Sequence, residues 1–284
     1  MACFGLDTCV YLNPLHPRSR GRQPVCTVCI LYQVVAGFPA VIAGNRDEFV
    51  QRPSEAPHLW PSSSGTPTLF AGKDLECGGT WMGINASGLV CGVTNVSSGR
   101  RDPSKRSRGL LVLDCLKATS PLQAMEIIHA NGLDRYNPFN LFCLSPEGGF
   151  LLSNAETPPR FAPLTPGTHV ITNRPLGDPS DSRCDGIRSA IASAPDSPDD
   201  LEHFLATFLA RHGDYGTDQA LCIHLPGYGT VSSHILFLCS DLRKSRFRYA
   251  PGPPCSRPFE DLSEPISRLF AGPTRSEPPV ESKA

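Results

Sequence analysis

The sequence has little net charge and no long apolar run, and each absence excludes a class of protein. Its 26 Lys and Arg residues and 27 Asp and Glu residues give a formal net charge of -1. Nothing in this balance indicates a nucleic-acid partner or an anionic membrane surface. No segment approaches the ~18 apolar residues of a membrane helix, and no apolar core precedes the N-terminal arginines, as it would in a secretory signal. We expect a cytoplasmic protein without a membrane span, although an arginine-containing leader is also compatible with organellar targeting.

Cysteine is abundant, but its distribution does not indicate a disulfide framework. Of the 12 cysteines, several lie inside apolar runs, where cysteine behaves as a small buried hydrophobe: Cys91, Cys143, Cys222 and Cys239. Cys26 and Cys29 form a C-x-x-C pair, yet residues three apart on a strand point to opposite faces. No second such pair or nearby pair of histidines completes four zinc ligands. We therefore predict neither a disulfide scaffold nor a metal site.

Composition divides the chain into three parts. Residues 1–25 are rich in proline and arginine and are predicted to be an N-terminal extension, which a mature form either keeps or has lost. Residues 26–250 carry strand-like and helix-like patterns and are predicted to form one domain. Residues 251–284 are rich in proline, serine and charge, and are predicted to be a loosely attached tail with one short amphipathic piece, ISRLF.

Blocks of strands and pairs of helices follow one another within the domain. Runs rich in β-branched and apolar residues between turn signals predict strands at CTVCILYQV, AVIAGN, TWMGIN, LVCGVTN, FNLFCLS, GFLLSN, HVITN, QALCIHL, SSHILFLCS and SRFRYA. Helices are predicted at RGLLVLDCLKA, SPLQAMEIIHAN, RCDGIRSAIAS and DDLEHFLATFLARH, the second capped by Ser120 and the last by Ser197. Because this is not a regular βαβ alternation, we predict antiparallel sheets with the helices in separate layers.

The first predicted hairpin brings reactive side chains together at one end. A turn centred near Gly37 places Cys26 opposite roughly residue 48, beside the polar sequence Asn45-Arg46-Asp47-Glu48 that ends an otherwise apolar strand. Arg46 would stabilise a thiolate there, and Asp47 would orient a proton carrier or hold Arg46 in place. The pattern indicates a nucleophile site centred on Cys26, with a purely structural cysteine as the alternative.

A series of short motifs carries a resemblance to a known family. Nineteen positions after Cys26 come Asn45-Arg46-Asp47-Glu48, and then, in order, Arg52-Pro53, His58-Leu59-Trp60, Ala71-Gly72-Lys73-Asp74, Gly78-Gly79-Thr80-Trp81-Met82-Gly83, Val93-Thr94-Asn95, Ser107-Arg108-Gly109, Tyr136-Asn137-Pro138-Phe139-Asn140-Leu141, Asn173 and Gly227-Tyr228-Gly229-Thr230. In these motifs the sequence resembles the NRDE family, also called the transport and Golgi organisation 2 family, over most of its length. The resemblance implies an N-terminal-nucleophile hydrolase-like fold, an α+β four-layer αββα sandwich of two antiparallel sheets.

The resemblance also implies roles for individual residues. Cys26, as the first residue of a mature chain, would attack an amide with its own α-amino group as the base, because that group titrates near ~7.7–8.0. Arg46 and Asp47 would flank the nucleophile, and Asn140 or Asn173 would help to hold the oxyanion. The residues implied in substrate contacts are Asn45, Glu48, Trp81 and Asn95.

Two features of this chain bear on such an activity. Cys26 is internal as written, so its nitrogen acts as a base only if residues 1–25 are removed or the true start lies downstream; otherwise the site is inactive. Val231 stands where many relatives carry an arginine after the Gly-Tyr-Gly-Thr motif. For Trp81, Asn95 and Asn140 the alternatives are ordinary structural roles in the core, at a strand end and at a turn.

Three functions remain as expectations. The first is hydrolysis of a non-peptide amide C–N bond in a small molecule, with Cys26 as nucleophile. The second is non-catalytic binding or trafficking of haem or a lipid metabolite, or a role in Golgi organisation and secretion, as the resemblance implies for eukaryotic relatives. Haem would need an apolar cleft and an axial ligand, and His58 is the histidine closest to the motifs. The third is a role in interactions alone, with a degenerate pocket.

Overall fold

The computed structural model describes residues 26–61, 67–97, 101–213 and 220–271; the predicted extension 1–25 and residues 272–284 of the predicted tail lie outside them. The strands are β1 Thr27–Val35, β2 Phe38–Phe49, β3 Ser54–Pro61, β4 Pro67–Asp74, β5 Met82–Asn85, β6 Val90–Asn95, β7 Phe139–Ser145, β8 Gly148–Ser153, β9 Arg160–Pro163, β10 Gly167–Ile171, β11 His224–Leu225, β12 Tyr228–Leu238, β13 Arg246–Ala250 and β14 Glu260–Asp261. The α-helices are α1 Arg108–Cys115, α2 Pro121–Asn131, α3 Ser182–Ala192, α4 Pro198–Leu209 and α5 Ser263–Phe270. None of the helices in these described ranges is long and apolar enough to cross a membrane.

The described strands form two sheets of seven strands each. The first sheet has the order β10-β1-β2-β12-β13-β14, with β11 paired to β12, and it gathers strands from both ends of the domain. The second sheet runs from β3 to β9 in chain order. All pairings within the two sheets are antiparallel, as predicted.

Side-chain alternation along the strands explains why the two sheets stack between helices. On β1, Val28 and Ile30 belong to the apolar core between the sheets, whereas Cys29 and Leu31 pack towards α3 and α4. This follows because successive side chains of a strand point to opposite faces. The outer face of the second sheet packs on α1 and α2 in the same way. The predicted α+β, four-layer αββα sandwich is confirmed.

The first hairpin forms as predicted, with a register that differs by two positions. Thr27 lies opposite Asn45, so Cys26 sits beside Arg46. The difference arises partly from a bulge near the turn, where Gln33 adopts a φ of 53°, because an extra residue shifts every pair beyond it. Cys26 nonetheless reaches the Asn-Arg-Asp-Glu sequence, as the hairpin predicts.

Local signals predict most elements but not all. Ser120 caps α2, its side chain accepting the Gln123 N–H, whereas Ser197 holds the N-cap position of α4 without a side-chain cap bond. Of the strand predicted at QALCIHL, Gln219 lies outside the described residues, and in the described part only His224–Leu225 forms a strand. The residues before it do not, because the N–H of Cys222 donates to the Arg211 carbonyl instead of a neighbouring strand. The sequence patterns also miss β3, β4 and β9, whose prolines and few β-branched residues give a weak strand signal.

The structure continues the domain past the predicted boundary at residue 250. Strand β14 pairs with β13, and α5 buries Ile266 and Leu269 in the core between the sheets. The predicted amphipathic piece ISRLF is therefore the end of a packed helix, since burial of its apolar face stabilises an otherwise short segment.

Candidate active site

A polar cavity opens at the edge of the core between the sheets, where β1 begins. Its volume is about 90 Å³, enough for several water molecules at about 10–15 Å³ each on this measure. Six of the nine residues predicted for the site line it: Cys26, Arg46, Asp47, Glu48, Trp81 and Asn95. The other three, Asn45, Asn140 and Asn173, lie elsewhere. The cavity is the candidate active site.

The Cys26 thiol lies against the main chain of Asp47. Its Sγ is 3.4 Å from the Asp47 nitrogen, which donates to it, and 3.4 Å from the Asp47 carbonyl oxygen, which accepts from it. Burial, and after it the charge of Asp47, raise the pKa of Cys26 to about 12, and the opposing effect of Arg46 is smaller. In the intact chain the thiol is therefore protonated, which differs from the expectation that Arg46 stabilises a thiolate.

The Asp47 carboxylate faces β12 and not Arg46. Its Oδ1 accepts the Thr230 hydroxyl at 2.6 Å, while its Oδ2 is buried without a hydrogen-bond partner in the described part of the chain. Burial raises the pKa of Asp47 to about 7, although the Thr230 hydrogen bond lowers it. The Tyr228 hydroxyl donates to the Asp47 carbonyl at 2.9 Å. The Gly-Tyr-Gly-Thr motif thus supports Asp47, a role that the motif spacing alone did not reveal.

The Arg46 guanidinium stacks on an aromatic wall of the cavity. Its central carbon lies 4.5 Å from the centroid of the Trp81 ring, and within the described ranges no ion pair is formed by Arg46. Trp81 in turn lies so close to β4 that a Cβ on Gly72 would come within 2.3 Å of its ring. The absence of a side chain at Gly72 therefore makes room for the Trp81 ring, and the stacked Arg46 guanidinium lines the cavity.

Glu48 belongs to an ion-pair network on another wall. Its carboxylate lies 3.7 Å from Arg52, which also pairs with Asp74 at 2.6 Å and Glu76 at 2.9 Å. The Arg52 side chain is only 7% exposed, so the carboxylates offset the cost of burying its charge. The Arg-Pro and Ala-Gly-Lys-Asp motifs therefore build the cavity wall, and Glu48 is bound to that wall rather than free in the cavity.

Asn140 and Asn173 hold backbone in place behind the cavity. Asn140 donates to the carbonyls of Thr172 and Arg174, at 3.0 and 2.7 Å. Asn173 donates to the carbonyl of Asn95 at 2.5 Å, and neither residue lines the cavity. Their contact with an oxyanion stays a prediction that this geometry does not support. Asn95 is exposed and lines the cavity, and its substrate contact stays a prediction.

Asn45 points into the helix layer because it alternates with Arg46 along β2. Its Nδ2 donates to the carbonyls of Leu209 and Leu221, at 2.9 and 2.8 Å, and its Oδ1 accepts the Ser233 hydroxyl at 2.5 Å. The residue is 2% exposed and does not reach the cavity. The structure therefore gives Asn45 a structural role instead of the predicted substrate contact, because its Nδ2 and Oδ1 already bond to groups of the protein.

We expect Asn45→Ala to lower the free energy of unfolding by about 2 kcal/mol, since it leaves two carbonyls and a hydroxyl without their partner. Chemical denaturation measures the change. The matched control is Asn131→Ala, whose side chain makes only a 3.4 Å contact with Asp114, and which should change stability by less than about 0.5 kcal/mol. Equal effects of the two variants would contradict the role of Asn45.

The described cavities do not fit haem. The larger one is lined by charged side chains, and the apolar one, about 10 Å³ and lined by residues such as Met82 and Phe247, is far too small. His58 is exposed, with its ring stacked on Trp60 and its Nδ1 3.0 Å from the Ala56 carbonyl. Nothing in the described residues prepares His58 as an axial ligand.

Two antiparallel sheets between helix layers, with a cysteine at the start of a central strand, define the N-terminal-nucleophile hydrolase-like fold. Penicillin V acylase from Agrobacterium tumefaciens superposes with a TM-score of 0.54 at 11% identity, covering 85% of this chain and 88% of that one. The Caenorhabditis elegans N-acylethanolamine-hydrolyzing acid amidase ortholog gives 0.52 at 14% identity, covering 75% and 92%. At these identities the likeness establishes the fold.

The chain belongs to the Transport and Golgi organisation 2 family, whose model matches residues 25–247. It is 29% identical over 236 residues to the Transport and Golgi organization protein 2 homolog of Bos taurus, covering 72% of this chain and 83% of the relative. The Homo sapiens homolog is 28% identical over 238 residues with the same coverage. The family resemblance of the motifs is confirmed.

Proposed function

We propose that this chain hydrolyses a non-peptide amide C–N bond in a small molecule, with Cys26 as an N-terminal nucleophile. The observation that carries the proposal is the position of the Cys26 thiol. It lies at the cavity, 3.4 Å from the Asp47 backbone nitrogen, on the strand start where the fold presents a first residue. The family match begins at residue 25, immediately before it.

A newly exposed α-amino group supplies the base that the intact site lacks. With a pKa near ~7.7–8.0 it can take a proton at neutral pH, whereas the thiol of the intact chain has a pKa of about 12. An α-ammonium beside the sulfur also favours the thiolate. The buried Oδ2 of Asp47, which has no donor in the described residues, offers an acceptor on the paired strand.

The reaction then runs in two balanced stages. The α-amino nitrogen takes the thiol proton, Sγ bonds to the carbonyl carbon, and the tetrahedral oxyanion collapses as the C–N bond breaks and the leaving amine receives that proton. Water next adds to the thioester and the C–S bond breaks, which gives the carboxylic acid and restores the thiol. Arg46 and the Asn95 carboxamide line the cavity as donors for the oxygens of the substrate and the oxyanion.

The names of the two fold neighbours support an amide substrate. One is an acid amidase that hydrolyses N-acylethanolamines and the other a penicillin V acylase, so both are named for acyl-amide substrates on this scaffold. Because function depends on the site and not on the fold, the substrate class rests on the cavity. Its charged and carboxamide donors suit a polar group next to the scissile amide.

The mature N-terminus tests the proposal. We expect intact mass spectrometry and N-terminal sequencing of the protein purified from its native cells to show a chain that begins at Cys26, whether another protease or the chain itself removes residues 1–25. A Cys26→Ala chain processed in the same cells shows whether the thiol is needed for removal. Native protein that retains residues 1–25 throughout would exclude the proposed nucleophile.

A further inference from the structure

Four metal-ligand side chains converge on the surface away from the cavity, and we name them the Cys2His2 cluster: His212, Cys222, His224 and Cys255. Their ligand atoms all lie within 4.8 Å of one another. They come from three segments: the stretch after α4, the residues at the start of β11, and the loop after β13. Cys222 is buried and the other three are exposed, so an ion can reach the cluster from solvent.

The distances match those of a tetrahedral zinc site. Zinc–sulfur bonds of about 2.3 Å and zinc–nitrogen bonds of about 2.0–2.1 Å place two sulfurs about 3.8 Å apart, and a sulfur and a nitrogen about 3.5 Å apart. In the structure the Sγ atoms of Cys222 and Cys255 are 3.6 Å apart. The Nε2 of His224 lies 3.5 Å from the first sulfur and 3.2 Å from the second. The ring of His212 is centred 5.2 Å from that of His224, and its ligand nitrogen lies within the same 4.8 Å as the other three ligand atoms. His212 therefore supplies the fourth ligand.

We propose that the Cys2His2 cluster binds one zinc ion in a closed, structural site. Two thiolates and two imidazoles in tetrahedral array form a ligand set that proteins use for zinc, whereas calcium and magnesium require oxygen ligands. Four protein ligands leave no open position for water or substrate, which is typical of structural sites. The sequence pattern did not predict this site, since only Cys222 and His224 are close along the chain.

The ion would fasten a segment that supports the candidate active site. Cys222 already donates its N–H to the Arg211 carbonyl at 2.9 Å. The next residue, Ile223, donates its N–H to the Thr230 hydroxyl at 2.9 Å, and that hydroxyl donates to Asp47 at 2.6 Å. The peptide bond between Cys222 and Ile223, followed by the two hydrogen bonds through Thr230, therefore connects the cluster to the carboxylate of Asp47, independently of whether Cys26 is catalytic.

A disulfide between Cys222 and Cys255 is the competing use of the two sulfurs. A disulfide needs an S–S distance of about 2.0 Å, and both cysteines are free in the structure at 3.6 Å. A disulfide would also not account for the position of the two histidine rings beside these sulfurs. The geometry points to the metal.

Zinc content and cobalt spectroscopy test the proposal on the full chain. After tag removal and gel filtration, elemental analysis should find one zinc per chain. Cobalt-substituted protein should show sulfur-to-metal charge transfer and the intense visible bands of tetrahedral cobalt. The exposed-site variants Cys255→Ser and His212→Asn should each lower zinc affinity by at least about 10-fold, the lower bound for less direct outer-shell partners. Cys239→Ser and His203→Asn, which lie outside the cluster, are the matched controls and should keep the zinc.

Each alternative outcome overturns the site. Zinc-free protein without cobalt–thiolate bands would show that the cluster binds no metal. Zinc that persists in both cluster variants would place it elsewhere in the chain. A Cys222–Cys255 disulfide in protein isolated under reducing conditions would assign the sulfurs to each other. Because the cobalt spectrum is recorded on the unmodified chain, misfolding of a variant cannot obscure the result.

Discussion

A chain that begins at Cys26 is expected to hydrolyse small N-acyl amides, and Cys26→Ala in that chain should lower kcat/KM by at least about 10³-fold. The expected loss is large because the sulfur forms the bond to the carbonyl carbon, and removal of the nucleophile of a serine protease costs a factor of about 10⁶ in kcat. The intact chain should be equally inactive, since its Cys26 nitrogen is an amide and its thiol has a pKa of about 12. Steady-state turnover of an amide panel measures the three proteins.

Cys29→Ala is the matched control for this experiment. Cys29 lies three residues further along the same strand, is fully buried, and packs on the helix side of the sheet. Its removal should leave kcat/KM within a few-fold and lower only stability, by about 1 kcal/mol for the lost buried atom. Activity that survives Cys26→Ala, or that is shown by the intact chain, would refute an N-terminal nucleophile.

The second large effect concerns stability and pH in the intact chain, where two buried groups act in opposite directions. Burial lowers the pKa of His234 to about 4 from 6.5, and raises that of Asp47 to about 7 from 3.8. Between about pH 4 and 6.5 the unfolded chain holds an extra proton at His234. The contribution of His234 to the free energy of unfolding therefore falls as the pH falls. In the same window the folded chain holds the extra proton at Asp47. The contribution of Asp47 to the free energy of unfolding therefore falls as the pH rises.

Single variants should separate the two effects. In Asp47→Asn the free energy of unfolding should fall by about 3 kcal/mol between pH 6.5 and 4 relative to the wild type, because the opposing carboxyl is gone. In His234→Phe, which keeps a ring stacked on Phe247, stability relative to the wild type should fall by a similar amount as the pH rises over that window. Chemical denaturation at several pH values measures both slopes.

The exposed residue His203 supplies a control for the pH experiment. His203→Asn should follow the wild-type curve, since the substitution changes an exposed side chain on α4 and leaves both buried groups in place. Parallel pH curves for wild type, Asp47→Asn and His234→Phe would contradict the assignment of these two groups. The comparison matters for the site as well, because it reports whether the carboxyl beside Cys26 is protonated near neutral pH before residues 1–25 are removed.

Short-range patterns were sufficient for much of the fold and for the centre of the site. The turn near Gly37 and the alternation of β1 and β2 brought Cys26 to Arg46 and Asp47, because a hairpin is a contact between neighbours in sequence. The same alternation separates Arg46 from Asn45, because adjacent residues of β2 face opposite sides of the sheet. The meeting of Cys26 with this polar sequence therefore followed from local geometry, and Asn45 was assigned to the wrong face.

The sequence by itself determined the antiparallel αββα architecture and the meeting of Cys26 with the polar end of β2, since periodicity, turns and family motifs are all readable along the chain. Only the tertiary structure decided what the remaining polar groups do. Asn45 bonds to carbonyls 164 and 176 residues away, Thr230 supports Asp47 from 183 residues away, and the Cys2His2 cluster joins three separate segments. Such pairings depend on how the sheets stack and how the loops close, and no local periodicity encodes them.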